Sequence, residues 1–134
     1  MMSLRSSATT IVSSLSTCAF VITALTIPNV AQAQNAPPSY VASPGVYKII
    51  AENEKYRVIL ATWKPGQRDE WHSHPTGANY ALNDCGTHRI HTPDGKFTDI
   101  SKKAGDARMM TVIPSHAVEN TGTVDCTQVI FEPK

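Results

Sequence analysis

The amino-acid sequence predicts an all-β fold, one antiparallel sandwich or barrel. Three observations predict it. Nine prolines and seven glycines punctuate the chain, and no long stretch carries apolar residues at the helical period. Runs rich in β-branched and aromatic residues recur between turn signals about every ten residues, the spacing of short strands folded back and forth. With 134 residues, 41% of them hydrophobic and 17% charged, the chain has the composition of a single compact domain.

Residues 1–33 read as a secretory signal. Arg5 gives a positive start with no acidic residue near it. An apolar core runs through Cys18–Ile27, and Ala31 and Ala33 stand where a signal peptidase reads small residues. The apolar run is shorter than the ~20 residues of a membrane anchor and is broken by Ser and Thr. The expectation is a periplasmic or secreted protein with no membrane anchor once the signal is removed. Cys18 lies inside the signal, and Leu15-Ser16-Thr17 before it only loosely resembles a lipoprotein box. Residues 34–44, rich in Pro, Ser and Ala, read as a flexible leader with little structure of its own. The folded domain is expected over residues 45–134.

The strands follow in order. Val46–Ala51 and Tyr56–Trp63 are joined by the polar turn Glu52–Lys55. Lys64-Pro65-Gly66 turns the chain into a short strand at Glu70–His74, stopped by Pro75 and Gly77. Asn79–Asn83 is next, with a turn at Asp84-Cys85-Gly86. Thr87–Thr92 and Phe97–Ser101 form a hairpin across Pro93–Lys96, where Asp94-Gly95 is a strong hairpin signal. Lys102–Gly105 turns the chain into a strand over Asp106–Ile113. Ala117–Asn120 and Val124–Phe131 complete the set.

Charge excludes some partners. Twelve Lys and Arg less Arg5 leave eleven in the exported part, against eleven Asp and Glu. A neutral chain without a basic run has no electrostatic means of holding nucleic acid or an anionic membrane surface. Cys85 and Cys126 are either an oxidised pair, as export would permit, or two separate small apolar side chains.

The histidines carry the chemistry. In a strand, residues two apart face the same side, so His72 and His74 present both rings to one face and Trp71 points the other way. His116 follows the turn-forming Pro114 and opens a distant strand. Three imidazoles from two segments suit one transition-metal ion. His88 shares a face with Ile90. If Ile90 points inward, His88 is a candidate general acid or base beside a metal-bound substrate; the alternative is a buried histidine with a structural role. Arg108 is either a clamp for a substrate carboxylate or a surface ion-pair partner. Trp71, Tyr80 and Leu82 lie off the metal face, on an outer surface or a subunit contact.

The spacing of these residues carries a family resemblance. Gly66, five residues, His72-Ser73-His74, four residues, Asn79, six residues and Gly86 form one set; Gly105, His116 and Asn120 form another. The pattern resembles the two motifs of the cupins, with Asn79 at the usual Glu position, and Thr111 and Ile113 at a usual Pro and Gly. The resemblance spans residues 45–131 and implies a single-domain cupin jelly-roll β-barrel. It implies one divalent metal ion (iron, zinc, manganese or nickel) on His72, His74 and His116, with Asn79 in the place of the acidic ligand. Without that acid, three neutral imidazoles leave the charge of the ion uncancelled, which favours an anionic ligand. The implied partner is a small organic molecule, and a homodimer is expected by analogy. The expected function is an oxygenase, isomerase, lyase or decarboxylase; the alternative is a non-catalytic metal or small-ligand binder of the cell envelope. A barrel that has lost its metal also remains open at this point.

Overall fold

The computed structural model describes residues 36–134, so the expected signal at 1–33 lies outside the described residues. The elements are α1 (Ser39–Ala42), β1 (Tyr47–Glu52), β2 (Tyr56–Trp63), β3 (His72–His74), β4 (Gly77–Ala81), β5 (Gly86–His91), β6 (Phe97–Lys102), β7 (Ala107–Met110), β8 (Ile113–Asn120) and β9 (Cys126–Pro133). They form two antiparallel sheets, β1-β2-β9-β4-β7 and β3-β8-β5-β6. This is the expected jelly roll. Among the described residues, no helix is long and apolar enough to cross a membrane.

Period-two alternation decides which side chains face inward. In β2 the buried residues are Ile59, Ala61 and Trp63, and in β9 they are Cys126, Gln128, Ile130 and Glu132. The two strands pair without a break from Tyr56↔Pro133 to Trp63↔Cys126, which places both inner rows opposite one another. Val46, Tyr47, Ile59, Ala61, Trp63, Val118 and Ile130 make up the core. The β5–β6 hairpin forms as expected, with His91 opposite Phe97 and Gly95 at φ 81°. Trp71, Tyr80 and Leu82 lie exposed on the outside.

Cys85 and Cys126 are joined in a disulfide, at a sequence separation of 41. It ties the turn before β5, in one sheet, to the start of β9 in the other. Closing a loop of that length restricts the unfolded chain by about 4 kcal/mol in the chain-entropy account.

Two local expectations are corrected. Residues 36–44 are not a loose leader in their described part. They form α1, whose Ser39 is buried, and a parallel bridge from Pro38 to Ser73. The backbone N–H of Ser73 donates to the Pro37 carbonyl, and that of Glu70 donates to the Ser43 hydroxyl. These bonds satisfy donors that the short strand β3 and the residues just before it would otherwise leave unpaired. Pro114 also makes no turn. The expected strand Asp106–Ile113 ends early, at Met110, and Pro114 sits inside β8. A bulge accommodates it: His72 pairs with His116 and His74 with Ile113, so three steps on β8 face two on β3. Proline has no hydrogen to give a ladder, and a bulge is where a strand tolerates that.

Candidate metal centre

Strand β3 buries both His72 and His74, with Ser73 half-buried between them. The bulge in β8 brings His116 alongside. Ring centroids are 4.9 Å apart for His72–His74, 4.4 Å for His72–His116 and 5.2 Å for His74–His116. One ring nitrogen from each lies within 4.8 Å of the others. The Nε2 atoms of His72 and His74 are 3.1 Å apart. Two metal bonds of ~2.1 Å at a tetrahedral angle would set them ~3.4 Å apart.

Hydrogen bookkeeping shows which atoms face the centre. His72 donates its Nδ1 hydrogen to the Glu70 carbonyl at 2.7 Å, and His74 donates from Nδ1 to Glu132 Oε1 at 2.5 Å. Each Nε2 therefore holds a lone pair. The Tyr47 hydroxyl has one hydrogen, given to Asp69 Oδ2 at 2.8 Å, yet its oxygen lies 3.0 Å from His72 Nε2. The Nε2 atom of His116 is buried with no partner. The Nε2 atoms of His72 and His74 thus face one another with no hydrogen between them, beside a partnerless His116 Nε2, an arrangement that a cation relieves. The donor set fits a divalent metal ion.

Protonation agrees with the fit. Burial pushes the His72 pKa down to about 4, against the bond to the Glu70 carbonyl. Burial, and then His72 and His74 beside it, hold His116 well below its ordinary value. Both are neutral at pH 7, the form a metal needs. Behind them stand two buried carboxylates, Asp69 and Glu132. Asp69 accepts from the Val118 N–H at 2.6 Å and from Trp63 Nε1 at 2.9 Å, as well as from Tyr47. Burial still raises its pKa to about 6. A carboxylate behind a histidine fixes the ring and strengthens its donor nitrogen. Acid missing at position 79 thus reappears one layer out, and a cation held there would have buried carboxylates nearby.

Asn79 lies on the inner side of β4, opposite Ile130. It lines a cavity of about 270 Å³ together with His74, His116, Lys102, Arg108 and Gln128. Ile90, Met110 and Ile130 form its apolar wall. His88 does not reach this cavity. It is buried with its ring against Trp63, centroids 5.2 Å apart, and one of its nitrogens lies within 4.8 Å of the sulfurs of Cys85 and Cys126. The expected proton handler is therefore not where a substrate would sit.

Sequence reasoning missed Tyr47, Asp69, Glu132 and Lys102. A signal existed for Glu132, a charged residue in the inward row Cys126, Gln128, Ile130 of β9. None existed for Tyr47, whose role depends on a contact 25 residues away.

No family model matches the chain, and no curated protein matches it. Solved structures do. A cupin domain from Bordetella pertussis gives a TM-score of 0.60 at 20% identity, covering 75% of this chain and 97% of that one. The chain folds as a cupin. A conserved protein with a double-stranded β-helix domain from Klebsiella pneumoniae gives 0.52 at 23% identity, covering 66% of this chain and 76% of that one. Within this cupin barrel the three framing glycines of the sequence pattern earn their places by conformation: Gly66, Gly86 and Gly105 have φ of 75°, 64° and 89°, a region other residues avoid. Asn120 is structural. Its amide donates to the Trp63 and Val124 carbonyls and accepts from the Gly122 N–H.

Proposed function

We propose that the protein is an exported cupin enzyme. It holds one divalent metal ion on His72, His74 and His116 and acts on a small organic anion. The observation that carries this reading is the convergence of three buried ring nitrogens, one without any partner, at the wall of a cavity with two cationic side chains. When bound, the ion supplies Lewis acidity.

The chain's own residues do the rest. Lys102 is buried and bonds to Gln128 Oε1. Burial, then the nearby Arg108, lowers its pKa to about 8, which leaves it mostly charged at neutral pH. Arg108 offers a planar fork to the same cavity, which suits a carboxylate. Asn79 presents an amide able to accept or donate where a substrate oxygen would lie. The Glu70 carbonyl sets the orientation of His72, and Glu132 that of His74. The disulfide supports export, since such bonds persist in oxidising compartments.

The test is metal analysis of the purified chain and of His74→Ala, with oxygen uptake and product mass followed over carboxylate-bearing thiols, diketones and hydroxy acids. One equivalent of metal in the wild type, none in the variant, and turnover of a carboxylate substrate are expected. Metal retained by His74→Ala would discredit the ligand set. Measurable affinity without turnover would make the protein a binder instead.

A further inference from the structure

We propose that Cys85, Cys126 and His88 form a second metal site, created when the disulfide is reduced. The ligand class is a borderline or soft divalent ion such as Zn²⁺ or Cd²⁺, which thiolate and imidazole donors favour. All three residues are buried, and one donor atom from each lies within 4.8 Å of the others.

His88 supplies the independent observation. Its residue exposure is 0%, and neither ring nitrogen has a hydrogen-bond partner. A buried polar group left unpaired destabilises the fold, and His88 has two. An apolar side chain would fill the space against Trp63 without that cost. The first site gives no explanation. His88 pairs with Asn120, four residues along β8 from His116, or ~13 Å of strand. It is absent from the cavity wall. Burial, then Lys102, keeps the ring neutral, so a lone pair is available toward the sulfurs.

The chemistry balances. A dithiol reductant delivers two electrons and two protons to the Cys85–Cys126 bond. That bond breaks, two thiols form, and the reductant leaves as its own disulfide. The incoming ion then displaces both thiol protons to solvent, and His88 adds its lone pair. Two thiolates cancel the charge of the divalent ion, so the buried assembly is neutral and avoids the penalty of an unpaired interior charge. Bonds of ~2.3 Å to sulfur and ~2.1 Å to nitrogen require the donors to lie ~3.5–3.8 Å apart, so the two sulfurs move apart once their bond is broken, while the His88 nitrogen already lies within 4.8 Å of both.

The experiment titrates the full chain with Cd²⁺, oxidised and after reduction by a dithiol that is then removed without air. In a full chain carrying Cys18→Ser, thiolate-to-cadmium charge transfer reports this site alone, because imidazoles give no such band. The oxidised chain should show no band. The reduced chain should bind one further equivalent with the band, and cadmium NMR should show coupling to a ring nitrogen of His88. Cys85→Ser/Cys126→Ser should abolish the band, and His88→Phe or His88→Gln should weaken binding at least tenfold. A reduced, folded chain without the band would overturn the proposal. So would a cadmium–thiolate centre with no coupling to His88, or a reduced chain that binds only after losing its circular dichroism.

Discussion

At the scale of single residues, the histidine centre depends on what stands behind each ring. Glu132 holds the Nδ1 hydrogen of His74 at 2.5 Å while almost fully buried. Replacing Glu132 by Gln keeps the volume and can still accept, but removes the negative charge. Losses at this layer cost 10–100-fold in metal affinity, and Glu132→Gln should fall in that range when measured by chelator competition. Tyr47→Phe should leave affinity closer to wild type, because Asp69 keeps its bonds from Val118 and Trp63. His72 and His74 were legible in the sequence because a two-residue spacing on a strand fixes their common face. Glu132 was less so. Its inward parity was readable, but the partner across the barrel, 58 residues away, was not.

At the scale of elements, β3 is the weak member that carries the strongest chemistry. It has three residues, and its outer edge is covered only by the segment before β1. Ser73 N and Oγ donate to Pro37 and Ala36, and Glu70 N donates to Ser43. A chain beginning at residue 45 would lose all three bonds, at about 1 kcal/mol each. It should melt at a lower temperature and bind metal about tenfold more weakly than a chain beginning at residue 36. Equal affinity in the two would show that β3 is held by β8 alone. Composition misled here, since Pro, Ser and Ala promise little structure in isolation; the order comes from unpaired donors on β3. Pro114 misled in the same way, because the bulge that seats it is a property of two strands together. β4 makes a second case. A Cβ at Gly77 would stand 2.3 Å from the Phe131 carbonyl oxygen, and backbone cannot swing aside as a side chain can. Gly77→Ala should therefore destabilise the fold by about 1–3 kcal/mol, read from urea unfolding, with β4 and β9 prised apart beside Asn79 and Glu132.

At the scale of the whole molecule, buried neutral histidines tie stability to pH. His72 and His88 titrate at about 4 in the fold, against an ordinary 6.5, because burial disfavours their charged forms. Between those values the unfolded chain binds more protons than the folded one. Stability is therefore full above about pH 6.5 and is lost as pH falls toward 4, by about 1.4 kcal/mol per pH unit for each such proton. Asp69 works the other way, since its raised pKa lets the fold keep a proton that the unfolded chain releases. His88 isolates one proton cleanly, because it lies apart from the metal ligands. In the oxidised chain, His88→Phe should flatten the dependence of unfolding free energy on pH by about that 1.4 kcal/mol per unit near pH 5. Metal acts as a separate lever. An ion that binds only the folded chain adds about 4 kcal/mol at a thousandfold excess over its dissociation constant, so chelation should lower the melting midpoint of wild type and of His88→Phe alike, and leave His74→Ala unmoved. Urea titrations from pH 4.5 to 7.5, with and without chelator, read both effects in one series. A chelator shift that persists in His74→Ala would place the ion elsewhere, and an unchanged slope in His88→Phe would mean that its ring is protonated inside the fold.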